Sequence, residues 1–132
     1  MKMLVDTGAL LALTLKRDQH HARAAAFAQR HPEVRFVLTD LILTETVTRP
    51  RARADARLAA AAGRSLLDSR RYEVLFVDAP LLAGALARLE QLGDKPLSLT
   101  DCVSFEVTDR LGLTIAFAFD RDFRDCGYQM VP

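Results

Sequence analysis

Long apolar runs are missing from this 132-residue chain. None approaches the ~18 residues that a membrane-spanning helix needs, which excludes a helical anchor of that kind. Cysteine is scarce: Cys102 and Cys126 alone cannot build a disulfide scaffold or a zinc knuckle, and a reducing, cytoplasmic setting is the expectation. Histidine is scarcer than a zinc site requires, because His20, His21 and His31 have no metal-like spacing and lack further soft ligands. The chain opens on an apolar, strand-like stretch at 3–5 rather than on a long leader with a small-residue cleavage site, so secretion is not expected. A net charge is also nearly absent, at +1, and that total neither identifies nor excludes a polyanionic partner.

What is present is one domain's worth of chain, expected to span 1–132, with half of its residues hydrophobic and so able to bury a real core. The charge is segregated. Between 49 and 71 there are seven arginines (49, 51, 53, 57, 64, 70 and 71) against Asp55 and Asp68. Between 101 and 125 there are six acids against Arg110, Arg121 and Arg124. Arginine dominates the basic residues, and its planar fork suits phosphate or carboxylate.

Periodicity predicts strands alternating with helices. Strands are expected at 2–5, 35–38, 74–77 and 114–119, with a fifth at 128–131. Thr7 is expected to cap a helix through Leu10, Leu11 and Leu13, and Asp18 a helix over 19–30 that ends at His31-Pro32. Thr39 or Asp40 caps a helix bearing Leu41, Ile42 and Glu45, interrupted at Pro50. A helix over 52–69 groups Arg53, Arg57 and Arg64 within about 40° and sets Leu58, Ala62 and Leu66 opposite. Pro80 opens a helix that stops at Gly93, and Ser98-Leu-Thr-Asp101 has the form of a capping box for a helix to about Leu111. Such alternation implies βαβ units, a mostly parallel sheet of four to five strands, and helices on both faces.

In sheets of this kind ligands bind beyond the carboxyl ends of the strands. Four acids fall there. Asp6 follows the first strand, Glu45 lies early in the helix after the second, Asp101 sits in the first turn opened by Ser98, and Asp120 follows the fourth strand, with Asp122 two residues on. Each acid taken alone is explained as a helix cap or a solvated residue. Together they would repel and raise one another's pKa values unless a cation offsets them. Oxygen-only donors favour Mg²⁺ or Mn²⁺ over zinc.

The segments around these acids, Met-Leu-Val-Asp-Thr at 3–7, Leu-Thr-Glu45, Ser98-Leu-Thr-Asp101-Cys102 and Phe119-Asp120-Arg-Asp-Phe123, resemble those of PIN-domain proteins. More narrowly, the chain looks like the VapC-type ribonuclease toxins of bacterial toxin–antitoxin pairs. The resemblance implies a three-layer α/β/α fold and a metal-dependent endoribonuclease. Asp6, Glu45 and Asp101 would take the three main acidic positions, and Asp120 the more variable fourth, with Asp122 as its rival. Thr7 and Thr100 would hydrogen-bond behind the acids. Gly8 departs from the Ser or Ala more usual in that family. The resemblance also implies an RNA substrate, a small antitoxin as partner and a homodimer. The arginines at 49–71 would grip RNA, meet the antitoxin or simply face solvent.

Other readings of the same residues compete. Asp6-Thr7-Gly8 is also the signature of aspartic proteases, which at this length would act as dimers. Those enzymes are nearly all β with glycine-rich flaps, whereas six glycines and long alanine/leucine helices tell against that fold. An aspartyl-nucleophile phosphatase would carry a second Asp where Gly8 stands. A PIN-like module that only binds RNA or protein is the non-enzymatic alternative, and the joint presence of Asp6, Glu45 and Asp101 argues against it.

Overall fold

The structure, a computed structural model, describes residues 1–51 and 55–132. The elements in chain order are β1 (Lys2–Val5), α1 (Thr7–Thr14), α2 (His21–Arg30), β2 (Arg35–Thr39), α3 (Asp40–Arg51) and α4 (Ala56–Asp68). There follow β3 (Tyr72–Leu75), α5 (Ala79–Leu92), α6 (Leu99–Arg110), β4 (Ile115–Phe117), α7 (Asp122–Asp125) and β5 (Gln129–Val131). The five strands form one sheet in the order β3-β2-β1-β4-β5, and every pairing is parallel.

Side-chain alternation along the strands makes the layers. Met3, Val5, Phe36, Leu38 and Phe117 pack against Leu10 of α1, Ala24 and Phe27 of α2 and Leu66 of α4. Their neighbours point the other way: Val37 meets Leu81, Ala85, Val103 and Val107 of α5 and α6, while Leu4 and Ala116 meet Phe105. The result is the expected α/β/α arrangement, with the sheet entirely rather than mostly parallel. Strand order reverses between β1 and β4, because the chain builds β2 and β3 on one side of β1 before crossing to the other.

Several boundaries differ from expectation, each for a physical reason. The third strand runs over Tyr72–Leu75 rather than 74–77, since its partner β2 ends at Thr39, opposite Leu75, where α3 begins. Phe76 is left 72% exposed. The fourth strand stops at Phe117 rather than 119, because its partner Val5 is the last residue before α1 takes over. The fifth strand begins at Gln129 rather than 128. Asp6, not Thr7, caps α1 by accepting the Ala9 N–H at 2.7 Å. Asp18 instead accepts from the His20 N–H, so α2 begins at His21 and not at 19. Pro50 does not end α3 but sits in its last turn, where its fixed φ fits the helix and one hydrogen bond is forfeited.

On α4 the buried stripe is Ala59, Gly63 and Leu66, while Leu58 and Ala62 face solvent. Small residues win the inward positions because α3 lies close: a Cβ at Gly63 would meet Val47 Cγ2 at 3.1 Å. Asp55 caps this helix, which begins at Ala56 rather than 52. Arg53 of the predicted arginine stripe lies outside the described residues.

Candidate metal centre and nuclease site

Asp6, Glu45, Asp101 and Asp120 line one cavity of about 260 Å³ beyond the carboxyl ends of β1 and β4. Thr7, Gly8, Arg49, Pro96, Ser98 and Phe119 complete its wall. Four residues spaced across 115 positions of sequence thus meet at the point where strand order reverses.

Each acid is placed by a local rule. Asp6 is the N-cap of α1, buried at 8% exposure, so its carboxylate faces both the helix N-terminus and the cavity. Asp101 and Ser98 form a full capping box: Asp101 N–H donates to Ser98 Oγ, and Ser98 N–H donates to Asp101 Oδ2, both at 3.0 Å. Asp120 accepts the Asp122 N–H through Oδ1 at 3.0 Å, which fixes the turn into α7. The capping role and the cavity-lining role are therefore carried by the same side chains.

Glu45 is held differently. The Thr7 hydroxyl donates to its Oε2 at 2.7 Å and the Thr100 hydroxyl to its Oε1 at 3.2 Å. Arg49, one turn further along α3, approaches Oε2 at 3.5 Å. The two hydroxyls belong to α1 and α6, so Glu45 links three helices at the cavity.

Burial raises the Asp6 carboxyl to about 7. The Ala9 N–H opposes that rise, the charges of Asp101 and Asp120 add to it, and Arg49 draws it back. The cavity therefore disfavours a full set of negative charges when nothing positive occupies it. Asp122 is also raised, by partial desolvation and then by Asp120 beside it.

Of the two rival acids, Asp120 lines this cavity and Asp122 lines a neighbouring one. Hard oxygen donors suit Mg²⁺ or Mn²⁺. As placed, no three acidic, histidine or cysteine side chains among the described residues are close enough to enclose an ion. An ion here would keep part of its water shell, as Mg²⁺ ordinarily does.

Sequence reasoning did not name Arg49, Pro96, Ser98 or Phe119 as site residues. Arg49 was counted only within an arginine-rich segment; its spacing of four from Glu45 was the available signal. Phe119 was visible as the residue before Asp120, but its stack on His20, with ring centroids 4.2 Å apart, depends on the fold bringing the start of α2 to the end of β4. His20 thus has a packing role.

No curated protein sequence matches the chain. Among solved structures, VapC20 from Mycobacterium tuberculosis, a sarcin–ricin loop cleaving toxin, is similar over 98% of this chain and 99% of its own, with 30% identity and a TM-score of 0.88. VapBC2 from Rickettsia felis, bound to a DNA fragment from its promoter, shares the fold at 11% identity and a TM-score of 0.71, covering 98% of this chain and 97% of that one. FitAcB from Neisseria gonorrhoeae does so at 14% identity and a TM-score of 0.67, covering 100% of this chain and 97% of that one. The family model described as PIN domain matches residues 3–127. The chain belongs to the PIN-domain family and is similar to VapC toxins.

Proposed function

We propose that the protein is a divalent-metal-dependent endoribonuclease and the toxin of a toxin–antitoxin pair. One observation carries the reading: Asp6, Glu45, Asp101 and Asp120 face a single cavity at the switch point of a parallel sheet. The likeness to a sarcin–ricin loop cleaving toxin at 30% identity supports a structured RNA loop as the substrate.

In this reading Asp6, Asp101, Glu45 and Asp120 would hold one or two Mg²⁺ or Mn²⁺ ions. Such an ion, when bound, offsets the phosphate's charge and makes water more acidic. The protein's own part is positional. Thr7 and Thr100 hold both Glu45 oxygens, and the capping bonds of Asp6 and Asp101 fix their carboxylates on helix starts. Arg49 supplies a cation at the rim, where RNA phosphates approach a site that would otherwise repel them. Water then attacks phosphorus in line with the leaving ribose oxygen, giving a 5′-phosphate and a 3′-hydroxyl without use of the substrate's 2′-OH.

A small antitoxin and a second copy of the chain complete the proposal. The exposed arginines of α4, Arg57 and Arg64, are available to an acidic antitoxin segment or to RNA. The experiment is to incubate the purified protein and its Asp101→Asn variant with a sarcin–ricin loop RNA and other structured RNAs, and to map the product ends. Cleavage by the wild type alone, leaving 5′-phosphates, supports the proposal. Equal cleavage by both proteins, or 2′,3′-cyclic ends, overturns it.

A further inference from the structure

A second cavity, of about 350 Å³, lies immediately across Pro96 from the acidic one. Pro96 lines both, so the two share part of one wall. The other lining residues are Lys95, Leu97, Asp122, Asp125 and Cys126. Leu97 is buried, Cys126 is half-buried, and with Pro96 they give the cavity apolar walls. Lys95 and Asp125 are exposed, and Asp122 is partly so.

The charges narrow what fits. Two carboxylates against one ammonium make the surroundings net negative, which disfavours a phosphate. The ammonium among the carboxylates equally disfavours a bare cation. Apolar walls that carry both a donor, Lys95, and acceptors, Asp122 and Asp125, instead match a nucleobase. Of the four RNA bases, guanine alone presents two adjacent donors, N1–H and the N2 amino group, beside an O6 acceptor. A carboxylate takes the two donors and an ammonium donates to O6. Adenine offers a ring acceptor where the carboxylate requires a donor, and uracil sets a single donor between two acceptors.

We infer that this cavity is a base subsite that takes a guanine of the RNA strand next to the phosphate held in the acidic cavity. Asp125 or Asp122 accepts from N1–H and N2–H, and Lys95 donates to O6. The inference rests on the ribonuclease reading for its place along the strand. The chain itself ties the two cavities together, since the Asp122 N–H donates to Asp120 Oδ1 at 3.0 Å.

The test titrates the protein, with Mg²⁺ present to offset the carboxylates, with guanosine, inosine and adenosine 5′-monophosphates while amide shifts are followed. The result expected is that the guanosine nucleotide shifts Leu97 and Cys126 and binds roughly tenfold more tightly than the adenosine nucleotide, as one bidentate base contact supplies. Inosine, lacking N2, should fall between. Asp125→Asn or Lys95→Ala should reduce the preference, and both positions are exposed enough to leave the fold intact. In parallel, RNAs carrying G, inosine or A beside the cleaved bond are compared with the same proteins and with Asp101→Asn. Equal binding of the three nucleotides, or shifts confined to other regions, overturns the subsite. So does RNA cleavage by the wild type with no base discrimination, which leaves the ribonuclease reading standing. Absence of all cleavage by the wild type overturns that reading instead, and the nucleotide titration then decides the cavity by itself.

Discussion

The Thr7 hydroxyl donates to Glu45 Oε2 at 2.7 Å, joining the start of α1 to the middle of α3 across the candidate metal centre. Thr7 is buried and its bond fixes one carboxylate oxygen at the cavity wall. Replacing Thr7 by Val keeps the shape and removes the donor. RNA cleavage is expected to fall by roughly 10–100-fold, the usual cost of losing a group that orients a metal-binding side chain. Thr7→Ser should restore most of it, and thermal unfolding should shift by only a few degrees. A Thr7→Val protein with unchanged cleavage would contradict the positioning role.

Asp6 makes stability depend on pH in a definite direction. Its carboxyl titrates near 7 in the fold against an ordinary 3.8, because burial opposes its charge. Between these values the folded state binds more protons than the unfolded chain, so in metal-free protein this residue's contribution to stability falls as pH rises through the window. The loss is complete above 7 and amounts to at most about 4 kcal/mol. Asp6→Asn retains an oxygen for the Ala9 N–H and removes the charge. In chelator, the variant's advantage in unfolding free energy over the wild type should grow from pH 4 to pH 8, while its cleavage activity is lost. A pH-independent difference would contradict this account.

Asp120 and Asp122 should separate by function. Asp120 lines the acidic cavity, whereas Asp122 lines the neighbouring one. Asp120→Asn is expected to lower cleavage of a fixed RNA and to raise the metal concentration needed for half-maximal rate. Asp122→Asn should change the metal requirement far less, since the bond from residue 122 to Asp120 Oδ1 is made by its backbone N–H and survives the substitution. The reverse order would move the fourth acid to Asp122.

Gly84 tests the packing of α5 on α6. A Cβ there would lie 2.6 Å from Glu106 Oε2, and Glu106 is not free to swing away, because Arg88 and Arg110 hold it from either side. Gly84→Ala should therefore destabilise by about 1 kcal/mol, despite the helix propensity it gains. In a Glu106→Ala background the same change should stabilise by up to ~1 kcal/mol. Denaturant unfolding of the four proteins gives the coupling directly. Additive effects would show that Glu106 relaxes at no cost.

The layered α/β fold and the four acids were legible in the sequence because each depends on local pattern. The apolar strand runs, the Ser98–Asp101 capping box and acids at strand ends are written within a few residues of one another. What was not legible depends on partners distant in the chain. The third strand ends where β2 runs out of backbone to pair with, not where its own Val74–Val77 stretch stops being apolar. The inward stripe of α4 is Ala59, Gly63 and Leu66, since close packing on Val47 outweighs the greater hydrophobicity of Leu58. The cap of α1 is Asp6 rather than Thr7, and the Thr7 hydroxyl bonds Glu45, 38 residues away, which no local pattern specifies. The cavity across Pro96 joins α7 to the loop before α6 and has no local signature.

The most direct measurement follows cleavage of one structured RNA by the wild-type protein through chelation and metal return. The account predicts cleavage with Mg²⁺ or Mn²⁺, its loss when a chelator removes the ion, and recovery when either ion is added back in excess. Cleavage that continues at an undiminished rate in chelator would contradict a metal-bearing role for Asp6, Glu45, Asp101 and Asp120.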